Sequence, residues 1–380
     1  MSILRNFKGA IFVSLLAVVA GFLYGGLVNG GAATFVLAAA FAALGTTFIL
    51  GVLEFTFSMD NAVVNAKYVE RLDDKWQRWF LTWGILIAVF GMRLHFPLAV
   101  VGLTSGLWPH EALKLAFEGG GVHDEGSYAF EMHQAHPAVA AFGGMFLLMI
   151  FLKFVFEDRD LKWLTWLETP LAKVGKLDQF EVIVSLITLA VVSKLSTGHE
   201  TTVLFAGISG LALYLAVNAL NEILEEKTEH DEETFGAAAA AMLVKQTGRA
   251  ALMTVLFLEV LDASFSFDGV IGAFAITSDP VIILLGLGFI GSIWVRSLTV
   301  YLVRQGTLND YEYLEHGAHW SIGVLAIILL ATINHPVPEW VTGLVGLTFI
   351  VGAYLSSVRR NKRNAAAEAA GEPQSELVDA

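Results

Sequence analysis

Two short stretches carry acids where acids are costly. Glu54, Ser58, Asp60 and Asn61 lie in EFTFSMDNAVV, and Asp262, Ser266, Asp268 and Gly269 lie at the same spacing in DASFSFDGVIG. Both stretches sit inside long apolar runs. An ionised carboxylate at the centre of a bilayer costs about 2.5–3.5 kcal/mol on insertion scales, so acids there face a bundle interior, pair, or bind something. Carboxylate, amide and hydroxyl oxygens, in a chain with no Cys, form a hard ligand set suited to Mn²⁺, Mg²⁺ or Ca²⁺ rather than Cu⁺ or Zn²⁺. The candidate metal ligands are Glu54, Ser58, Asp60, Asn61, Asp262, Ser266 and Asp268. Glu259 extends the second stripe and is a candidate proton-carrying or accessory acid. Arg93 and Arg296, roughly level with Glu54 and Asp262 by residue count along their spans, are candidate counter-charges. Deprotonated carboxylates bind metal and protonated ones release it, so exchange of a divalent cation for protons would use this many acids.

The elements that must position these residues are helices. The chain is 56% hydrophobic with a mean hydropathy of +0.64, and several runs reach the roughly 20 residues that cross a bilayer. An all-α polytopic membrane protein is expected, with about ten spans near 10–28, 34–66, 80–104, 138–156, 180–195, 201–221, 250–277, 281–303, 318–333 and 339–356. Basic residues gather on one side of this threading, which by the positive-inside rule puts both termini in the cytoplasm. The formal net charge of −13 argues against a nucleic-acid partner. The first run, behind Arg5 and Lys8, has no Ala-x-Ala cleavage site and reads as a retained span.

The same threading makes the two motif helices antiparallel. Residues 34–156 and 250–333 then form an inverted pair of three-helix units, an arrangement transporters use to build a site at mid-membrane. The remaining segments are an N-terminal span (1–33), a connection with two spans and an acidic linker (157–249), a C-terminal span (334–363) and an unstructured tail (364–380). On a continuous helix Glu54, Ser58 and Asn61 share a stripe and Asp60 lies off it, as Asp268 does in the second copy. Either the helices unwind near Ser58 and Ser266, or the displaced aspartates meet another helix.

Three further segments stand out. The outer segment 105–137 is acidic and holds Glu131, His133 and His136, which could grip a cation on one helical turn but read first as a solvated loop. Segment 157–179 mixes Trp163, Trp166 and Leu167 with Lys162, Lys173 and Lys176, as in a helix lying in the membrane interface. The acidic run 222–235 reads as a hydrated linker.

LEFTFSMDNAVV followed by GMRLHF, with LEVLDASFSFDGVIGAFAIT in the second half, resembles the TerC family of integral membrane proteins, relatives of the LysE-type exporters first linked to tellurite resistance. The resemblance covers roughly residues 34–305. It implies manganese export across the cytoplasmic (inner) membrane and a role in metal loading of exported proteins, with Glu54, Ser58, Asp60 and Asn61 matching the first motif and Asp262, Ser266 and Asp268 the second. Gly269 departs from the small polar residue expected there. The expected function is export of a divalent cation, foremost Mn²⁺, by alternating access, with no permanently bound cofactor and no enzymatic activity. Export of an amino acid or tellurium oxyanion is one alternative; an intramembrane aspartyl hydrolase using Asp60 and Asp268 is the other.

Overall fold

In lipid every backbone polar group must be satisfied within the protein, and the long Leu-, Ala- and Ile-rich runs do this as helices. The computed structural model describes residues 7–28, 35–84, 87, 95–118, 120–177, 179–232, 245–277, 279–305, 311–335 and 337–370. Within these, the side chains of 56–61, 96–97, 103–105, 220–232, 263–269, 271–272, 274–275, 305, 339–340 and 365–370 lie outside the description.

The described residues form fourteen α-helices and two π-helical turns. They are α1 (Lys8–Val28), α2 (Leu37–Glu70), α3 (Asp74–Trp79), the first π turn (Phe80–Gly84), α4 (Phe96–Ser105), α5 (Pro109–Glu118), α6 (Tyr128–Phe156), α7 (Thr165–Val174) and α8 (Phe180–Leu195). Next in the chain come α9 (Glu200–Glu232), α10 (Gly248–Ile276), α11 (Pro280–Ile283), the second π turn (Leu284–Gly291), α12 (Ser292–Gln305), α13 (Leu314–Thr332) and α14 (Glu339–Ala370).

Seven segments among the described residues are long and apolar enough to cross a membrane: Lys8–Val28, Leu37–Phe55, Tyr128–Phe156, Glu200–Ala219, Pro280–Arg304, Leu314–Thr332 and Val341–Asn364. Three of the ten expected spans are missing from this set. In 80–104, residues 85–86 and 88–94 lie outside the described residues, and in 250–277 the side chains of 263–269, 271–272 and 274–275 do. Helix α8 has 16 residues, about 24 Å, short of the roughly 30 Å of hydrocarbon.

The core is built on α6, whose side chains from Gly143 to Leu152 are all buried. It packs against α9, α13, α10 and α4. Small residues set the spacing: a Cβ on Gly210 of α9 would fall 2.2 Å from the Phe142 carbonyl oxygen of α6, so only glycine allows this approach.

Helices α2 and α10 pack against each other and share one end. The Gln246 amide donates to the Arg71 carbonyl (2.7 Å), and the Asp73 amide donates to the Gln246 carbonyl (3.1 Å). Lys245 pairs with Asp74 at 2.8 Å. The chain therefore leaves α2 where it enters α10, and the two helices run in opposite senses. The segments after the two helices are also alike. Asp73 caps α3 through the Trp76 amide and the first π turn comes next. Asp279 caps α11 through the Val281 and Ile282 amides and leads into the second π turn.

Several connecting segments are more helical than expected. The outer segment contains α5 and the first turns of α6, and the interfacial segment contains α7. Helix α9 continues to Glu232, through most of the acidic linker, and α14 continues to Ala370, into the stretch expected to be unstructured. Both extensions are rich in Glu, Lys, Leu or Ala and prolong a helix already begun, so no new nucleus is needed.

Candidate functional site

The motif residues sit on uninterrupted helices: α2 and α10 remain α-helical through both copies. Of the two geometries open in the sequence, unwinding at Ser58 and Ser266 does not occur. Glu54, Glu259 and Asp262 are buried, at 5, 6 and 5% exposure. Ser58, Asp60, Asn61, Ser266 and Asp268 lie on the same helices with side chains outside the description, and Arg93 lies outside the described residues. Arg296, on α12, donates from Nε to the Leu81 carbonyl in the first π turn at 2.7 Å.

The antiparallel packing fixes the heights of these positions. The rings of Tyr68 and Phe257 meet at 4.9 Å. Counting about ten residues back along α2 and forward along α10 brings Ser58 level with Ser266, to within about one turn. Asp60 and Asp268 flank that level, and Glu54 and Asp262 lie beyond it on opposite sides, roughly 6 Å along the axis from their serines. The motif is thus a ladder, not a single ring. Among the described residues no group of three or more His, Asp or Glu able to hold a metal gathers. The same absence holds at Glu131, His133 and His136: His133 is exposed, and His136 Nε2 stands 3.3 Å from Thr332 Oγ1.

Each π turn touches the other half's motif helix beside an acid. Gly286 and Ile290 of the second π turn meet Leu50 and Gly51 of α2, one turn before Glu54. Gly84 of the first π turn meets Glu259 of α10, one turn before Asp262. π-helical turns widen the backbone spacing and recur at functional sites. Nothing in hydropathy announces them.

Sequence reasoning also missed a buried polar knot at the other end of the core. Glu168 of α7, 4% exposed, accepts from the Trp163 and Leu164 amides (3.0 and 3.3 Å) and from Trp320 Nε1 (2.9 Å). His316 Nδ1 stands 3.1 Å away. Burial alone would push the Glu168 carboxyl up, but the hydrogen bonds from His316 and Trp320, with the His316 charge and the Leu164 amide, hold it below the usual carboxylate range. Beside the knot, Glu315 receives Lys67 from the end of α2 and Arg159 at 2.9 Å. The segment's Trp and Lys residues read as an interfacial helix and gave no signal for Glu168; Trp166 is 74% exposed.

Seven helices of membrane-crossing length and composition around a helical core make this an all-α integral membrane protein. Two of its helices, α2 and α10, run in opposite senses and carry the buried acids Glu54, Glu259 and Asp262. A family model described as a protein of unknown function (DUF475) matches residues 59–364. The chain belongs to the DUF475 family, and the match begins inside the first motif, one residue before Asp60. No curated protein and no solved structure matches the chain.

Proposed function

We propose that this protein moves a divalent metal cation, foremost Mn²⁺, out of the cytoplasm across the cytoplasmic membrane by alternating access. The observation that carries this reading is the pair of antiparallel, mutually packed helices α2 and α10, each with a buried carboxylate at the equivalent motif position. Acids in an apolar bundle are retained against a cost of several kcal/mol, and cation passage is the use that needs them on two faces of one path.

In this reading the two units that begin with α2 and α10 are an inverted pair. Their shared end and their recurring order of motif helix, Asp-capped short helix and π turn support it. Asp60 and Asp268 hold the cation at the centre, with Ser58, Asn61 and Ser266 as further oxygens. Glu54 and Asp262 receive it on either side, so the cation passes along a ladder of carboxylates. Arg296, held on the first π turn, and Arg93 balance charge when the metal has left. Glu259 stands apart from the metal path in this reading. The resemblance to the TerC family, whose members are associated with manganese export, agrees with the hard ligand set but adds no geometry to it.

The test is ⁵⁴Mn²⁺ counterflow in proteoliposomes of the purified protein, with Mg²⁺, Ca²⁺ and Zn²⁺ as competitors. Counterflow saturating with Mn²⁺ and lost in Asp60→Asn and Asp268→Asn is expected. Wild-type protein that exchanges none of these ions would end the reading.

A further inference from the structure

With Glu54 placed on Asp262 by motif, position 51 corresponds to position 259. Both positions touch the opposite half's π turn, and they fill that contact differently. At Gly51 the contact is hydrocarbon: a Cβ there would lie 2.8 Å from Ile290 Cδ1. At Glu259 it is an acid against a bare glycine: a Cβ on Gly84 would lie 3.1 Å from Glu259 Oε1 and 2.7 Å from Phe80 Cδ2. The first half shows that packing here is satisfied without a carboxyl. The acid at 259 therefore answers to something other than packing.

Its surroundings narrow what that is. Glu259 is 6% exposed, and among the described residues nothing donates a hydrogen bond to either of its oxygens. At Gly84 its carboxyl shares the space with the buried Phe80 ring. Among the described residues the charged groups on the elements packed against α10 are committed elsewhere or repel. Asp262, on the same helix, opposes the anion. Arg296 bonds the Leu81 carbonyl, Lys67 at the end of α2 bonds Glu315, Lys153 of α6 bonds Asn218, and Asp279 caps α11. The first π turn brings no titratable residue. A metal ion or Na⁺ held here would need several oxygen ligands. A proton needs only the carboxyl, and it removes the cost of a bare charge in hydrocarbon.

We propose that Glu259 carries the counter-proton of the transport cycle, with Gly84 and the first π turn giving the carboxyl its room. The proton binds a carboxylate oxygen on one side of the membrane and leaves from it on the other; no other bond changes. This inference rests on the metal-transport reading above and is separable from it. The experiment is a pair of measurements on proteoliposomes: Mn²⁺/Mn²⁺ counterflow at equal pH, which needs only the metal path, and Mn²⁺-driven proton movement followed with a trapped pH dye.

Glu259→Gln is expected to keep counterflow within about twofold and to lose proton movement by about tenfold or more. Gly84→Ala, which crowds Oε1, is expected to slow proton movement while keeping counterflow, and it serves if Glu259→Gln does not purify as a monodisperse protein. Proton movement unchanged in Glu259→Gln overturns the proposal. So does loss of counterflow in step with proton movement, which puts Glu259 in the metal path, and so does Mn²⁺ movement driven by a Na⁺ gradient at equal pH. Absence of counterflow in the wild type fails the transport reading instead.

Discussion

The two motif halves differ most where they are most alike. Each presents a helix of buried acids to a π turn of the other half, but α2 meets the second π turn with Gly51 against Ile290, and α10 meets the first with Glu259 against Gly84. One contact is a plug of hydrocarbon and the other an acid lying against a glycine and the Phe80 ring. An inverted pair built from identical units would treat both faces of the membrane identically. Glycine stands at one of the two matching positions and glutamate at the other, and the large side chain lies on the π turn in one case and on the motif helix in the other; in the proposed reading this gives the halves unequal tasks.

The comparison can be broken most directly at the motif centre. Asp60→Asn and Asp268→Asn occupy equivalent positions, so each is expected to lower Mn²⁺ counterflow by about 100-fold, roughly 2.8 kcal/mol at 1.4 kcal/mol per tenfold. Losses differing by more than about tenfold between the two would mean that the halves do not share the cation equally. Next in size is the plug. Ile290→Ala leaves a cavity against Gly51 and is expected to destabilise the protein by about 2 kcal/mol, read as a lower thermal midpoint in detergent with counterflow per folded molecule unchanged. Gly84→Ala, whose new methyl meets the buried Phe80 ring as well as Glu259, is expected to cost about 1 kcal/mol by the same assay and, unlike Ile290→Ala, to slow proton movement.

Smaller effects lie outside the motif. Lys67→Met removes one cation from Glu315 and leaves Arg159 in place; these side chains are 20 to 29% exposed, so the expected loss is about 1 kcal/mol or less. The Glu168 carboxyl is held below its ordinary range in the folded protein. Its contribution is therefore complete above the unfolded glutamate pKa of about 4.3 and disappears only as pH falls through the lower folded value. Emission from Trp163 and Trp166 should stay constant from neutral pH down through the ordinary glutamate range and shift only below it. A shift already complete at about pH 5, above the unfolded glutamate value, would mean that Glu168 does not anchor α7.

The features that could be read in the sequence and those that could not divide along physical lines. The apolar runs and the paired acids are local features, and helices α1, α2, α6, α12, α13 and α14 stand close to where hydropathy puts them. The opposite sense of α2 and α10 was legible from the distribution of basic residues. The Arg71–Gln246 contact that holds their ends together joins residues far apart in the chain and carries no local signal. The π turns were invisible because LLGLGFIG and FLTWG have the composition of ordinary apolar helix. Glu168 drew no reading for a related reason: His316 and Trp320 are 148 and 152 residues away, so nothing local marks its burial until α13 is brought against it. Glu259 was set apart in the sequence as a candidate proton-carrying or accessory acid, but its juxtaposition with Gly84 carries no local signal.

The clasp between Arg71–Asp74 and Lys245–Gln246 joins the two motif helices at one end. If the halves rock against each other, that end is the fulcrum and displacement grows with distance from it. Over the 34 residues of α2, about 50 Å of helix, a tilt of about five degrees carries the far end roughly 4 Å. A water-filled opening would therefore widen most on the membrane face remote from the clasp. Cross-links near Leu37 of α2 would restrain that lever far more than cross-links near Glu70.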